Sequence, residues 1–391
     1  MIIPPHLAHL PAPSPDAQAL SDQLSAVIAG EIIAAGGGIS YARYMELALY
    51  APGLGYYSAG SRKLGEGGDF VTAPEMSPLF ARCIAGQLAQ LYGEGLHNVL
   101  EVGAGSGALA ADLLIEMQVL GCAPDNYRIL ELSGDLRERQ RAHIAARAPA
   151  LIGRVQWLDA LPAQFEGVVL ANEVLDATPT HVVTTCAGEI LECFVKHSAA
   201  DNAFHWFETT ASEEVRRAAE SLQLPADDYR SEINLTARAL VTSLTRLLTR
   251  GVLLFIDYGF PAREFYHPQR ASGTLMCHYR HHAHDDPFAF VGLQDITTHV
   301  DFSAVADAAA TGGAALAGYT SQANFLINCG ITELLAQTPA SNTRAYAPLA
   351  AQAQKLLSPA EMGELFKVIA LGKNFAVPLL GFARGDKSHT L

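Results

Sequence analysis

Apolar positions along this chain recur with two periods. Leu24, Val27, Ile28 and Ile32 fall at steps of three and four and predict a helix over 21–33, stopped by Gly36-Gly37-Gly38. Ser40 reads as the N-cap of a second helix, 41–50, which ends before Pro52-Gly53. A polar, glycine-rich stretch follows over 58–69, and a helix over 78–92 leads to a short apolar strand at 99–102. Further strands are expected over 127–132, 154–158, 167–171, 252–257 and 314–319, with closing strands over 366–371 and 377–382. Helical patterns cover 109–120, 236–248 and 302–310, and an Ala-rich helical region covers 321–363. Residues 182–209 alternate weakly, as an inserted sheet or hairpin does. Residues 1–20, rich in Pro and Ala, read as a loose arm. The His- and Pro-rich segment 259–300 is too long for an ordinary connection and reads as irregular and functional.

Alternating β and α elements predict an α/β architecture with a doubly wound, mostly parallel sheet. The expected organisation is an N-terminal helical extension and lid over 1–92 and the first half of a nucleotide-binding core over 93–185. An insertion over 186–249 and the second half of the core over 250–391 complete it. The apolar helices of 321–357 fit either an interface, as in a homodimer, or a core.

Composition narrows the partners. A formal net charge of −14 disfavours a nucleic-acid binder, which needs Lys and Arg against phosphates, and is compatible with a basic protein substrate or simply with solubility. No apolar run is long enough for a membrane span. The 6 cysteines show no C-x-x-C spacing and read as reduced thiols of a cytoplasmic protein. No Lys or Arg precedes Arg43, so neither a secretory n-region nor an Arg-rich transit peptide is expected.

The most informative stretch is Val99-Leu-Glu-Val-Gly-Ala-Gly-Ser-Gly107, where a strand passes through Gly103, Gly105 and Gly107 into a helix. Dinucleotide sites use G-x-G-x-x-G and seat a pyrophosphate on the helix N-terminus. Here the spacing is G-x-G-x-G, and Glu101 stands just ahead of it. A carboxylate there repels pyrophosphate and suits S-adenosylmethionine (SAM), which carries a sulfonium and an ammonium. Ligands of doubly wound sheets bind at the C-terminal ends of the strands, so acids there draw attention: Glu101, Glu131, Asp159, Glu173 and Asp257. Glu131 is placed to accept two ribose hydroxyls, as in NAD sites too. Asp159 is placed to face an adenine amino group, or to cap a helix. Asn172, at the end of the fourth strand, joins the cofactor-binding set.

Glu173 and Asp176, in Ala171-Asn-Glu-Val-Leu-Asp-Ala-Thr-Pro179, sit where an acceptor would meet the transferred methyl. A guanidinium is a planar fork that carboxylates grip bidentately, leaving a free nitrogen aimed at the methyl carbon. The plainer alternative is a helix start with acids favoured by its dipole. Cys277-His-Tyr-Arg-His281-His-Ala-His284 lacks metal-site spacing, so no metal is expected. It reads as a substrate-contacting loop or polar network in which His281 or His299 assists a proton transfer.

Several motifs in order resemble the MidA family. They are Tyr44–Tyr50 with Gly55-Tyr-Tyr57, Gly68-Asp-Phe-Val-Thr-Ala-Pro-Glu75, Glu101–Gly107, Ala171–Pro179, Ile256-Asp-Tyr-Gly259, Gly273-Thr-Leu275, Asp295–Asp301 and Met362–Leu371. The resemblance covers roughly residues 20–385. It implies a class I SAM-dependent methyltransferase fold, Rossmann-like, with an N-terminal helical extension. Mitochondrial members are arginine methyltransferases that assemble respiratory complex I, so it also implies an arginine of a protein, such as a complex I subunit, as acceptor. By motif, Glu101, Gly103, Gly105, Gly107 and Glu131 would hold SAM, Asp69, Phe70, Thr72 and Glu75 would form a lid, and Glu173 and Asp176 would face the guanidinium. Asp257 and His281 are placed with the acceptor side. Val174, Thr178 and Met276 depart from the family's commoner residues. A bacterial member is expected. The remaining alternatives are another acceptor, an assembly chaperone that binds SAM without turnover, and an NAD-dependent oxidoreductase.

Overall fold

The computed structural model describes residues 7, 9–59 and 72–391. The chain divides into two compact units, Val71–Val174 with Ala239–Ala262 and Val300–Leu391, and Met1–Phe70 with Leu175–Arg238 and Arg263–His299.

Seven strands make the sheet of the first, α/β unit: β1 (Asn98–Val102), β2 (Asn126–Leu130), β3 (Val155–Leu158), β4 (Phe165–Asn172), β5 (Leu248–Phe260), β6 (Ala315–Ser321) and β7 (Phe366–Lys373). Their spatial order is β3-β2-β1-β4-β5-β7-β6, and Val300–Asp301 adds a short parallel pairing to β5. The first five strands pair parallel, whereas β7 runs antiparallel to both β5 and β6. Strand order reverses between β1 and β4, and this switch point is where open α/β sheets take ligands. Near-continuous apolar runs such as Val168–Ala171 and Val252–Ile256 are buried throughout, as central parallel strands covered on both faces must be.

Helices α1 (Pro78–Gly93), α2 (Ala108–Val119) and α3 (Gly134–Arg147) belong to the same unit. Ser77 caps α1 and Ser133 caps α3, each hydroxyl accepting a backbone N–H of the first turn. The Ala-rich region is three helices, Gln322–Asn328, Ile331–Ala336 and Thr343–Leu357, broken at Gly330 (φ 85°). Phe325, Leu326 and Leu356 are fully buried in the unit's core.

The second unit holds the five-stranded antiparallel sheet of Ile39–Ser40, His181–Cys186, Glu189–Ser198, Ala203–Thr210 and Tyr229–Ile233, with helices Pro15–Ala34 and Tyr41–Tyr50. Ser40 caps the latter helix as its position predicts, accepting from Arg43 N at 3.2 Å.

Three expectations are corrected. The loose arm ends early, because Ser14 and Pro15 start a helix and Leu7 and Leu10 bury themselves against Tyr279, Ala289 and Phe290. Segment 259–300 is not irregular: Met276–Tyr279 pairs antiparallel with both His282–His284 and Asp295–Thr297. No strand forms at 377–382, where Leu380–Phe382 is a 3-10 turn instead. Pro378 has no N–H to give a ladder, and the N–H groups of Leu380 and Gly381 go to the side-chain carbonyls of Gln90 and Gln87 on α1.

Candidate functional site

The glycine bend leaves β1 through three positive-φ glycines, Gly103 (66°), Gly105 (53°) and Gly107 (82°), a conformation that other L-residues adopt only with strain. Space matters as much as torsion. A Cβ on Gly103 would lie 3.0 Å from Val174 Cγ2, and one on Gly107 would lie 3.2 Å from the Gln140 main chain. The turn after β4 and helix α3 thus both close on the bend.

Glu101 is 2% exposed and accepts the Tyr127 hydroxyl at 2.7 Å. Burial pushes its carboxyl up to about 7, against the opposing pull of that hydrogen bond, and Glu131 adds to the rise. Glu131 follows β2 directly. Its Oε1 accepts Ser133 N at 2.9 Å and its Oε2 accepts Gln140 Nε2 at 3.0 Å. Burial raises this carboxyl too, while those donors and Arg137 hold it down. Asp159 caps no helix: its side chain is 90% exposed and pairs with Arg137 at 2.6 Å. Arg137 also donates to the carbonyls of Glu131 and Leu158, joining the ends of β2 and β3.

Beyond β4 the chain turns sharply instead of starting a helix. Glu173 takes φ 52°, unusual for a residue with a Cβ, and its N–H is held by Ile256 O at 2.9 Å. Asp257, 1% exposed, accepts Val174 N at 3.2 Å and Tyr258 N at 2.9 Å, so it fixes the backbone on either side of the β4–β5 edge. Asn172 donates to Glu173 Oε1 at 2.9 Å, and its buried Oδ1 has no partner among the described residues. Thr72 begins the short helix Ala73–Met76, which carries half-buried Glu75; Asp69 and Phe70 lie outside the described residues.

In the second unit, Asp176 is 5% exposed and its carbonyl accepts Thr298 N at 3.0 Å. Tyr57 donates to Asp295 Oδ1 at 2.9 Å and stacks on Tyr50. Burial, then Asp295, Tyr50 and Asp176, push its phenol well above the usual range. His281 sits at the exposed tip of the Tyr279–His282 hairpin, where it and Arg280 supply the two positive φ values that such a turn demands. His299 donates its N–H to Thr274 Oγ1 at 3.1 Å. No group of three or more His, Cys, Asp or Glu among the described residues is arranged to hold a metal ion, and no described helix is long and apolar enough to cross a membrane.

Residues 79–320 match the family model of S-adenosyl-L-methionine-dependent methyltransferases. The chain belongs to this methyltransferase family. A crystal structure from Burkholderia thailandensis with bound S-adenosyl-homocysteine is 51% identical, with TM-score 0.94 over 98% of this chain and 100% of that one. A native structure from the same organism gives 50% identity and TM-score 0.92 over 98% and 100%. Curated relatives include the mitochondrial protein arginine methyltransferase NDUFAF7 of Danio rerio, 28% identical over 88% of this chain and 85% of the relative. The Mus musculus counterpart is 29% identical over 86% and 81%. MidA membership and dependence on SAM follow, as the motifs imply.

The residues of this methyltransferase fit its cofactor. The bend carries no Cβ at 103, 105 or 107, Glu131 keeps lone pairs for a vicinal diol, and Asn172 offers a buried, unused carbonyl oxygen. Three residues at this end escaped the sequence reading: Tyr127, Gln140 and Trp157. Their signal was weak, since each acts through a partner at least nine residues away.

Proposed function

We propose that this methyltransferase modifies an arginine side chain of a protein, with Glu173 as the carboxylate that grips the guanidinium. The observation that carries this reading is the turn after β4. It holds an acid in a strained conformation on the segment whose Val174 packs against the glycine bend. Strain of this kind costs about 1–3 kcal/mol and persists where surrounding contacts over-determine it, often at functional sites. Ile256 O and Asp257 supply those contacts. Bound SAM supplies an electrophilic methyl on a sulfonium sulfur. Glu173 would accept two guanidinium N–H groups, keep positive charge on the bound side and leave the remaining nitrogen free. Asp176 is assigned the same role from its sequence spacing and from the family motif. The acceleration would come from positioning and preorganised charge. The names of the NDUFAF7 relatives support arginine, and the net charge of −14 suits a basic protein segment. A cytoplasmic location and a complex I subunit as substrate belong to the same proposal.

The test is transfer of labelled methyl groups into lysate proteins, followed by mass spectrometry of the labelled site. Label on arginine that disappears with Glu173→Gln is the expected result. Label on another residue type, or undiminished label in the variant, defeats the assignment.

A further inference from the structure

Gln140 lies one helical turn beyond Arg137 on α3 and is fully buried. Both polar atoms of its amide are hydrogen-bonded. The two Nε2 hydrogens go to Gly105 O and Glu131 Oε2, each at 3.0 Å, and Oε1 accepts Trp157 Nε1 at 2.9 Å. The orientation of the amide is therefore set by its partners: two acceptors face the nitrogen and one donor faces the oxygen.

Burying an amide costs free energy unless all its groups are paired, and an aliphatic side chain would fill the same space without that demand. The approach of α3 to the bend is also close, since a Cβ at 107 would stand 3.2 Å from the Gln140 main chain. That approach brings the amide within reach of Gly105. One side chain thus ties the bend to the acid after β2 and, through Trp157, to β3.

We infer that Gln140 is a positioning residue of the cofactor site, fixing the Glu131 carboxylate relative to the glycine bend so that its remaining lone pairs meet the two ribose hydroxyls. Glu131 takes one N–H donor on each oxygen, from Ser133 and Gln140, which stops the carboxylate rotating and leaves acceptor capacity on both atoms. Gln140 also steadies the charged form of an acid that burial pushes towards neutrality. The inference rests on SAM dependence and is independent of the arginine reading.

Calorimetric titration of the full chain with S-adenosyl-homocysteine tests it, using Gln140→Met, Gln140→Glu, Glu131→Gln and the double variant Gln140→Met/Glu131→Gln. Gln140→Met should weaken binding about tenfold to a hundredfold at neutral pH, the usual effect of leaving buried polar partners unpaired. The loss should be larger at pH 6 than at pH 8, because Glu131 without its donor protonates more readily. A purely structural role would not produce that pH dependence. In the double variant the loss should stay within about threefold of Glu131→Gln alone, since both changes act through one group. If Gln140→Met does not fold, Gln140→Glu decides: it keeps the acceptor for Trp157 but sets a carboxylate against Glu131 and Gly105 O. Affinity within twofold of the parent in the folded variant, or losses that multiply fully in the double variant, would overturn the assignment.

Discussion

The glycine bend and the turn after β4 handle strain and polarity in opposite ways. At the bend, each backbone position that needs positive φ is a glycine, and both Glu131 oxygens and all of Gln140 are hydrogen-bonded. At the turn, positive φ falls on Glu173, and Asn172 Oδ1 stays buried with no partner among the described residues. The bend is thus prepared before any ligand arrives, whereas the turn retains an unmet acceptor and a strained acid. A ligand can contribute more to the second than to the first. The backbone rule that reserves positive φ for glycine is kept at the bend and broken at Glu173.

Glu173→Gln should break this contrast most severely. Methyl transfer should fall about a hundredfold to a thousandfold, the usual scale for losing one preorganised charged contact. The affinity for S-adenosyl-homocysteine should stay within about threefold, because the bend does not depend on that carboxylate. Equal losses of turnover and cofactor affinity would erase the distinction between the two regions.

Gly107→Ala strikes the prepared side. The new methyl meets the Gln140 main chain at 3.2 Å in a backbone held at φ 82°. A stability loss of about 1–3 kcal/mol in chemical denaturation is expected, with weaker S-adenosyl-homocysteine binding.

Glu101→Gln sharpens the comparison in the other direction. The folded-state carboxyl is pushed up to about 7, above its ordinary value of 4.5, so the folded chain binds more protons than the unfolded one between those limits. Stability therefore falls as pH rises from about 4.5 to about 7, and the full penalty is present above that. The neutral amide removes the penalty, and the variant should be more stable than the parent at pH 8, by on the order of 1–3 kcal/mol. At pH 5 the two should converge. SAM affinity of the parent should rise several-fold between pH 6 and pH 7.5 as Glu101 ionises, and the variant should lose that rise. A flat profile in the parent would remove Glu101 from cation recognition.

The smallest effect belongs to Ser133→Ala, which removes the cap of α3. It should cost about 1 kcal/mol of stability while leaving S-adenosyl-homocysteine binding within about threefold.

Much of the fold was legible because its signals are local. The strand, bend and helix of 99–119 declare themselves through apolar runs and glycines, and the cap at Ser40 sits where its helix begins, whereas the helix Gly134–Arg147 and its Ser133 cap emerge only in the structure. The last expected strand failed because Pro378 removes a donor and the glutamines of α1 claim the next two N–H groups. The histidine-rich run gave no hint of its pairing in the sequence; in the fold His281 occupies a two-residue hairpin turn, set by the strands that pair on either side of it.

Alternation of apolar strands and helices, the acid ahead of the glycines and the ordered motifs together determined the doubly wound sheet, the family and the cofactor, because periodicity and short spacing are properties of neighbouring residues. Only the tertiary structure decided that Glu101 is desolvated beside Tyr127, that Asp159 pairs with Arg137, and that Gln140 and Trp157 reach the site at all. A pKa, an ion pair or a hydrogen-bonded amide depends on which distant atoms arrive within hydrogen-bond distance, and no period along the chain encodes that.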